Sequence, residues 1–326
     1  MSRTRETFEK LFANEMEMEE ARDFLISLYE KGESVEDITD AVEVMRSYSV
    51  ELPIDDELKE RAIDIVGTGG DRSGSFNIST TVSLLVSSLG AVVAKHGNRS
   101  ITSRSGSADV LEALGMNLSL GVEEQVKMLQ ESGFCFIFAM KHHPAMKHIM
   151  PVRRSIEHRT IFNIMGPLTN PAGARKYLMG VFSPEYIEKM AQVLARVGAK
   201  KAYVLSSEDG MDEISISADT HCCLLENGEI RKMTIRVQDY GFDTAPKEAV
   251  MGGDAEENAK IIHEIFSGER GPKRDIVVLN AIFALLADTM ARDAKEAKEM
   301  IEESLDSGRA RKHLEKVLEL SRKLSS

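Results

Sequence analysis

Cysteine, tryptophan and long apolar runs are scarce or missing in this 326-residue sequence, and each shortage excludes a class of protein. The three cysteines, Cys135 and the adjacent Cys222 and Cys223, form no CxxC pair, which argues against a disulfide framework or a zinc site and for a reducing cytoplasm. The longest apolar stretch, around 134–140, is less than half of the roughly 20 residues that a membrane-spanning helix needs. The first ten residues lack an apolar stretch behind a basic start, so we expect no secretory signal.

An excess of positive charge is also missing. The chain carries 53 acidic against 41 basic side chains, an imbalance that disfavours general binding of nucleic acid. Its composition is that of an ordinary globular protein, and its length suits one large domain or two unequal ones. Basic residues are nevertheless concentrated in 141–159, which holds four of the eight histidines and a single acid, Glu157. In an acidic chain such a patch favours a small anionic ligand.

The hydrophobic pattern predicts a helical part and an α/β part. The first 60 residues predict helices, with an apolar stripe over 21–29 and a helix that begins after the N-cap Ser34, with Asp37 at its third position. Beyond them, short apolar runs alternate with helices, which predicts an α/β fold with a mostly parallel central sheet. The last 35 residues are helical again. The strand-like runs are 63–66, 91–94, 134–138, 178–182 and 202–205.

The strongest local signal is the glycine-rich segment 67–71, Gly-Thr-Gly-Gly-Asp, directly after the first strand-like run. Its three glycines permit positive φ and let backbone N–H groups face outward together, an arrangement that suits phosphate oxygens. A tight turn is the alternative interpretation of the glycines alone. The segment is not a Walker loop, because no GK[ST] follows, and it is not a GxGxxG fingerprint.

Three further polar segments resemble the first in chemistry. Residues 77–80 (Asn-Ile-Ser-Thr) open an apolar helix, whose start offers a second anion site. We expect 95–99 (Lys-His-Gly-Asn-Arg) to be a loop after the second strand and 105–109 (Ser-Gly-Ser-Ala-Asp) to begin another helix. Each segment alone is more often plain capping than a site. Ligands collect at the carboxyl ends of strands in open α/β sheets, so we expect these segments to converge.

Two adjacent carboxylates, Asp212 and Glu213, stand in a predicted loop. They could hold Mg²⁺, which takes a few carboxylates and completes its shell with water and substrate phosphates. An isolated acidic pair in an acidic chain is more often a solvated turn. His221, Cys222 and Cys223 lack a second ligand pair for a soft metal, and we expect them to be ordinary strand residues.

Taken together, these motifs resemble the anthranilate phosphoribosyltransferases of tryptophan biosynthesis over nearly the whole chain. The resemblance implies transfer of 5-phosphoribose from 5-phosphoribosyl-1-pyrophosphate (PRPP) to the amine of anthranilate, which gives N-(5-phosphoribosyl)anthranilate and pyrophosphate. Besides the segments above, it rests on KGES at 31–34, SGSADVLEALG at 105–115, HHPAMK at 142–147, RTIFNIMGPLTNPA at 159–172, GMDE at 210–213, GGDAEENA at 252–259 and LNA at 279–281.

The resemblance also implies roles for particular residues, all numbered as in this sequence. PRPP would be bound by Gly67, Gly69, Gly70, Asp71, Asn77, Ser79, Thr80, Lys95 and Ser107. Two magnesium ions would be held by Ser79, Asp212 and Glu213. The anthranilate site would be lined by Gly67, Asn98, His143 and Arg153, with Arg153 gripping the carboxylate. No protein nucleophile is needed, and His96 or a carboxylate is a candidate to take the amine proton.

We expect two domains. A small helical domain would comprise 1–62 and 141–176, and a larger α/β domain, comprising 63–140 and 177–326, would bind PRPP and magnesium. The resemblance implies a homodimer formed through the helical domains. The sequence departs from the family pattern at Ile156 and Glu157, where the family normally has a leucine and a glycine. Glu157 could pair with Arg153 and weaken anthranilate capture, or it could point to solvent.

Two alternatives to this function stay open. One is another enzyme of the same fold, either a nucleoside or nucleotide phosphorylase or a phosphoribosyltransferase with a different aromatic acceptor. The other is a non-catalytic paralogue that binds nucleic acid, which would be expected to carry a broad basic face. The acidic chain disfavours the second alternative. We therefore expect small-molecule substrates as partners, with neither nucleic acid nor membrane.

Overall fold

The computed structural model describes residues 2–100 and 104–324. Four helices precede the sheet: α1 (Arg3–Phe12), α2 (Met18–Lys31), α3 (Val35–Ser47) and α4 (Asp56–Arg61). The predicted start of α3 is confirmed, since the Ser34 hydroxyl accepts a hydrogen bond from the Asp37 N–H at 3.1 Å and the Asp37 carboxylate accepts one from the Ser34 N–H at 3.0 Å. The stripe over 21–29 faces the core except for Tyr29, which is 45% exposed.

A seven-stranded sheet forms the centre of the molecule, in the order β3-β2-β1-β4-β5-β6-β7. The first five strands pair in parallel, whereas β6 and β7 are antiparallel. The predicted α/β fold with a mostly parallel sheet is therefore confirmed. The strands are β1 (Ala62–Gly67), β2 (Val92–Gly97), β3 (Phe134–Phe138), β4 (Lys176–Gly180), β5 (Lys201–Ser207), β6 (Thr220–Glu226) and β7 (Glu229–Ile235).

The second strand extends further than expected. It continues to Gly97, so Lys95 and His96 belong to β2 and not to a loop, and that prediction is wrong. The physical reason is that the Lys95 ammonium finds acceptors inside the fold: its Nζ donates to the Ile65 carbonyl oxygen at 2.5 Å and lies 3.2 Å from the Ser79 hydroxyl oxygen. A charged side chain satisfied in this way can be buried in a strand.

Helices connect the parallel strands and follow the sheet. The connecting helices are α5 (Ile78–Ser88), α6 (Ser107–Ala113), α7 (Val122–Ser132), α8 (Ala139–His142), α9 (Met146–Arg154), α10 (Phe162–Met165) and α11 (Glu185–Arg196). After the last strand come α12 (Ala255–Phe266), α13 (Pro272–Asp288), α14 (Ala294–Asp306) and α15 (Arg309–Lys323). The two most apolar helices, α5 and α13, are buried along almost their whole lengths, and they pack against each other and against β1.

The N-terminal helices lie against the segment that follows β3. The helix α1 packs on α3, and both α1 and α2 contact α9. The basic patch at 141–159 is therefore attached to the first three helices, close in space although remote in sequence. No helix in the described ranges combines the length and the apolar composition that a membrane crossing requires.

Candidate active site

The loop that carries Asp212 and Glu213 crosses the carboxyl ends of β1 and β4. A Cβ added to Gly180, the last residue of β4, would stand 1.6 Å from the Asp212 carbonyl oxygen. A Cβ added to Gly67, the last residue of β1, would stand 2.4 Å from Asp212 Oδ2. Glycine at both strand ends thus lets the acidic loop approach the glycine-rich segment.

Asp212 binds this segment directly. Its Oδ2 accepts a hydrogen bond from the Gly69 N–H at 2.8 Å. Gly69 and Gly70 have φ values of +66° and +73°, the left-handed conformation that the three glycines predict. Burial raises the pKa of Asp212 to about 7, and the neighbouring charge of Asp71 adds to the effect. The carboxylate therefore lies where an anion would meet the backbone N–H groups.

Glu213 makes the equivalent contact with the start of α5. Its Oε1 accepts a hydrogen bond from the Ser79 N–H at 3.1 Å. The first turn of α5 has no acidic residue of its own, so Glu213 supplies the negative charge that a helix N-terminus favours. Burial and the adjacent Asp212 raise the pKa of Glu213 well above its ordinary value. The two predicted anion sites thus face one pair of carboxylates.

Lys95 is the cation buried among these carboxylates. It is 2% exposed, and its ammonium contacts the Ser79 hydroxyl. Burial lowers its pKa, while the charges of Asp64, Glu213 and Asp212 oppose that lowering. Ionisation of all three carboxyls around this one cation would leave an excess of negative charge, which a further cation could neutralise.

Ser79, Asp212 and Glu213 form a donor set that fits magnesium. All three offer hard oxygen atoms, and Mg²⁺ usually takes one or two carboxylates from a protein and fills its shell with water and phosphate oxygens. Burial raises the pKa of both carboxylates and Asp212 raises that of Glu213 further, so a divalent cation would favour their charged forms. Groups of three or more His, Cys, Asp or Glu with metal-binding geometry are absent from the part of the chain that the structure describes. Two carboxylates and one hydroxyl would occupy only part of a magnesium shell, so the donor set suits a metal whose shell a substrate completes.

Three further residues assigned to PRPP lie at the starts of two helices: Asn77 and Thr80 at α5, and Ser107 at α6. Asn77 is held by a side-chain network, since its Oδ1 accepts a hydrogen bond from Asn258 Nδ2 at 2.9 Å. The Ser107 hydroxyl, at the start of α6, donates to the Asn98 carbonyl oxygen at 3.1 Å, so it links two of the predicted segments. Thr80 is buried, and its hydroxyl has no hydrogen-bond partner among the residues described.

His96 and His143 form a buried pair, with their Nε2 atoms 3.2 Å apart. Burial lowers the pKa of His143 to about 4, and the nearby His142 adds to the lowering. Burial and the charge of His143 lower the pKa of His96 well below its ordinary value. Both rings are neutral at pH 7. The pair therefore presents uncharged imidazoles, which suit an aromatic ligand better than a cationic one.

Arg153, on α9, is a cation without an acidic partner among the residues that the structure describes. Its Cζ lies 5.3 Å from the centroid of the Phe162 ring, and its Nη1 lies 3.6 Å from Met150 Sδ. Burial lowers its pKa to about 10, which leaves it charged at pH 7. Within the described ranges it forms no ion pair; Glu157 is exposed and does not bind it, contrary to the pairing considered from the sequence. Arg153 is thus available to an anionic ligand.

Sequence reasoning missed Asp64 and Asn170. Asp64, in β1, is fully buried and accepts hydrogen bonds from the His96 N–H at 3.1 Å and from Asn170 Nδ2 at 2.7 Å. Burial raises its pKa to about 7. The signal that could have revealed it is a carboxylate inside an apolar strand-like run. Asp64 and Asn170 together fix the part of β2 from which Lys95 and His96 extend.

Comparison with known proteins shows what the chain is similar to. Residues 59–311 match the glycosyl transferase family, a/b domain. The chain is 44% identical over 320 residues to the anthranilate phosphoribosyltransferase of Xanthobacter autotrophicus, with 98% of this chain and 91% of the relative covered. It is 46% identical over 301 residues to that of Symbiobacterium thermophilum, with 92% and 87% covered.

Solved structures agree as well. The crystal structure of anthranilate phosphoribosyltransferase from Thermus thermophilus superimposes with a TM-score of 0.91 at 39% identity, covering 98% of this chain and 94% of that one. The enzyme from Saccharomyces cerevisiae in complex with PRPP and Mg superimposes with a TM-score of 0.84 at 26% identity, covering 94% and 86%.

Proposed function

The chain belongs to the anthranilate phosphoribosyltransferase family, and on this premise we propose how its residues share the reaction. The enzyme is a pentosyltransferase of tryptophan biosynthesis. It transfers 5-phosphoribose from PRPP to the amine of anthranilate and produces N-(5-phosphoribosyl)anthranilate and pyrophosphate. The family membership favours this reaction over the alternatives that the sequence left open, which were a phosphorylase, a phosphoribosyltransferase with a different aromatic acceptor and a nucleic-acid-binding paralogue.

One observation carries the assignment of the donor site: Asp212 and Glu213 reach both candidate phosphate segments, at the Gly69 and Ser79 N–H groups. These contacts support a single site in which the proposed metal ligands lie next to both phosphate-binding segments, the glycine-rich segment and the start of α5. The residues that we propose to bind PRPP are Gly67, Gly69, Gly70, Asp71, Asn77, Ser79, Thr80, Lys95 and Ser107.

The chemistry of the leaving group explains why these residue types are needed. Cleavage of the bond between C1′ and pyrophosphate builds negative charge on the departing group and positive charge on the ribose. Lys95 and the backbone N–H groups therefore stabilise the transition state more than the bound substrate. Loss of one such donor typically costs about 10²–10³ in rate.

Magnesium use is supported by the yeast relative, whose structure contains PRPP and Mg. We propose two ions per site, held by Ser79, Asp212 and Glu213. When bound, magnesium supplies a Lewis acid that neutralises the pyrophosphate charge. The oxygen donors and the raised pKa of both carboxylates support this assignment.

We propose that Gly67, Asn98, His143 and Arg153 bind anthranilate. The guanidinium of Arg153, which has no ion pair within 2–100 and 104–324, can hold the substrate carboxylate through two parallel hydrogen bonds. The neutral His143 adds no charge beside the aromatic amine, which must be uncharged to react. We assign no protein nucleophile. His96 is a candidate to receive the amine proton through its Nε2, although burial makes it a weak base.

We also propose the two domains stated above, 1–62 with 141–176 and 63–140 with 177–326. Contacts of α9 with α1 and α2 support the first of them. We propose a homodimer formed through this helical part, since Met18, Tyr48 and Val50 are large exposed apolar residues within it. The buried free cysteines support a reducing cytoplasm.

The test is formation of phosphoribosyl-anthranilate from anthranilate, PRPP and Mg²⁺. The wild type and a control that loses two neighbouring carboxylates on α14, E302A/E303A, should both form product. D212A/E213A should lose at least about 10²-fold in rate. Phosphate-dependent release of a free base from a nucleoside, without phosphoribosyl-anthranilate, would instead favour the phosphorylase.

A further inference from the structure

Arg159 contacts the glycine-rich segment 67–71, and none of the roles above uses it. Its Nη2 donates a hydrogen bond to the Gly70 carbonyl oxygen at 2.6 Å. The same guanidinium lies on the ring of Phe182, with Cζ 3.4 Å from the ring centroid. Phe182 follows β4, whereas Gly70 follows β1. One side chain therefore ties together the segments that leave two neighbouring strands.

The segment 67–71 is held at its beginning, its middle and its end. At its beginning the Thr68 hydroxyl accepts a hydrogen bond from the Phe182 N–H at 3.1 Å. In its middle the Gly69 N–H binds Asp212, and at its end the Gly70 carbonyl binds Arg159. Asp212 is a proposed metal ligand, so the Gly69 contact involves a residue that the metal would also use. The contact with Arg159 involves no proposed metal ligand.

The Arg159 contact also determines where the next N–H group points. The Gly70–Asp71 peptide is trans, as are all peptides in the described residues, so its carbonyl and its N–H point in opposite directions. A guanidinium that holds the Gly70 carbonyl on one side therefore presents the Asp71 N–H on the other. Gly70 has φ of +73°, so without this hydrogen bond the peptide could rotate at little steric cost.

The charge of Arg159 is not neutralised by a carboxylate in the described part of the chain. Instead the Phe182 ring covers one face of the guanidinium, as cation–π stacking favours for arginine. A half-buried, unpaired cation next to a phosphate-binding segment increases the local attraction for anions. This contribution adds to the hydrogen bond with Gly70.

The backbone of Arg159 is fixed from the helical side. The neighbouring His158 ring stacks on Tyr29 of α2, with centroids 3.9 Å apart, and its Nδ1 lies 2.7 Å from the Arg159 carbonyl oxygen. Arg159 also follows Arg153 by only six residues. The side chain thus extends from the acceptor side of the site to the donor side.

We propose that Arg159 is a positioning residue for PRPP: by holding the Gly70 carbonyl it orients the Asp71 N–H towards the phosphate groups and links the donor segment to the acceptor-binding helix α9. This inference rests on the proposed function and adds a residue to the same site.

The experiment compares R159A, R159K and F182L with a charge-matched control, R154A, whose arginine is exposed on α9. The measurements are the PRPP Kd by calorimetry with Mg²⁺ and without anthranilate, the KM for each substrate, and Tm. R159A should raise the PRPP Kd and KM at least about tenfold, the usual effect of losing a hydrogen bond to a charged group. The anthranilate KM should change less than about threefold. R159K should recover part of the loss, since an ammonium can reach the carbonyl but cannot stack as a plane.

F182L should give a smaller rise in PRPP Kd, and R154A none. A PRPP Kd for R159A within about twofold of the wild type would overturn the inference. The inference would also be overturned if the KM values for both substrates rose by the same factor and this rise matched the loss of Tm in R159A and R159K. The two proposals fail separately: a wild type without product formation contradicts the function, whereas the PRPP Kd tests Arg159 in either case.

Discussion

Gly180 and the Asp212 backbone meet at the end of β4 so closely that a Cβ on Gly180 would stand 1.6 Å from the Asp212 carbonyl oxygen. At Gly67 the obstacle is different, because an added Cβ would meet the Asp212 side chain, 2.4 Å from Oδ2. A backbone cannot move without disturbing the loop, whereas a carboxylate can rotate. Gly180 therefore leaves room for the backbone of the acidic loop, and Gly67 leaves room for the Asp212 side chain.

We predict that G180A mainly lowers the stability of the protein, whereas G67A mainly lowers its activity. G180A should lower the free energy of unfolding by about 1–3 kcal/mol or more, because the loop backbone must shift. G67A should affect stability less but should reduce kcat/KM for PRPP by about 10², because it displaces a proposed metal ligand. The control is G166A, whose added Cβ meets no atom within 4 Å. Chemical denaturation and steady-state kinetics provide the measurement, and a G180A variant as stable as G166A would contradict the steric argument.

Asp37 stabilises the N-terminal helices. Its carboxylate accepts hydrogen bonds from the Ser34 N–H at 3.0 Å and the Thr4 hydroxyl at 2.9 Å, and it pairs with Lys31 at 2.9 Å. Burial alone would raise its pKa, but the hydrogen bonds from Ser34, Lys31 and Thr4 outweigh burial and lower the pKa to about 2. A carboxyl whose pKa is lower in the folded state stabilises the protein above its unfolded value of 3.8, and this contribution is lost as pH falls towards 2.

We predict that D37N lowers the free energy of unfolding by about 1–3 kcal/mol at pH 7, and that the difference from the wild type narrows below about pH 4. The control K31A should cost at most about 1 kcal/mol, because the Lys31 side chain is 58% exposed. Urea denaturation across this pH range measures both. A D37N effect that does not change with pH would exclude the ionised carboxylate as its source.

The sequence predicted the elements whose stability is local. Each apolar run of β1 to β5 and the capping box of α3 involve only a few neighbouring residues, and all of these elements occur in the structure. Cys222 and Cys223 lie in β6, as expected of ordinary strand residues. The strand β7 gave no clear signal, because most of its residues are not buried and its pattern lacks a regular apolar face.

The arrangement of the site depends on contacts that a single sequence does not display. The sequence predicts a loop at Lys95, directly after the apolar run 91–94, yet the Ile65 carbonyl and the Ser79 hydroxyl bind its ammonium within the fold. Arg159 belongs to a motif that supported the family resemblance, but its partners, Gly70 and Phe182, lie 89 and 23 positions away in the chain. Residue types were therefore easier to predict than their partners.

The pair of His96 and His143 predicts a loss of stability in acid. The pKa of His143 is about 4 in the folded protein against an ordinary value of 6.5. Between these values the unfolded state binds a proton that the folded state does not, so stability falls as pH drops from about 6.5 to about 4. His96 contributes in the same direction, because burial also lowers its pKa.

We predict that the free energy of unfolding falls less for H143N, whose side chain cannot titrate, than for the wild type when the pH drops from 7 to 5. The difference should be about 1–2 kcal/mol. The control H263Q changes an exposed histidine in the last turn of α12 and should follow the wild type. Denaturant unfolding at the two pH values measures the difference. If H143N and the wild type lose equal stability, His143 is not neutral in the folded protein.

Arg153 and Arg159 should act on different substrates, although they lie six residues apart. Arg153 has a buried guanidinium over Phe162 and no carboxylate partner in the described residues, so an anthranilate carboxylate would be its first counter-charge. R153A should raise the anthranilate KM by about 10- to 100-fold, and it should leave the PRPP KM nearly unchanged. R153K should recover only part of the loss, because a lysine cannot hold a carboxylate with two parallel hydrogen bonds.

The control E157Q should behave as the wild type, since Glu157 is exposed and does not pair with Arg153. Steady-state kinetics with each substrate varied in turn is the measurement. Equal increases of both KM values in R153A would refute the acceptor role, and a lower anthranilate KM in E157Q would show that Glu157 competes for Arg153 in solution.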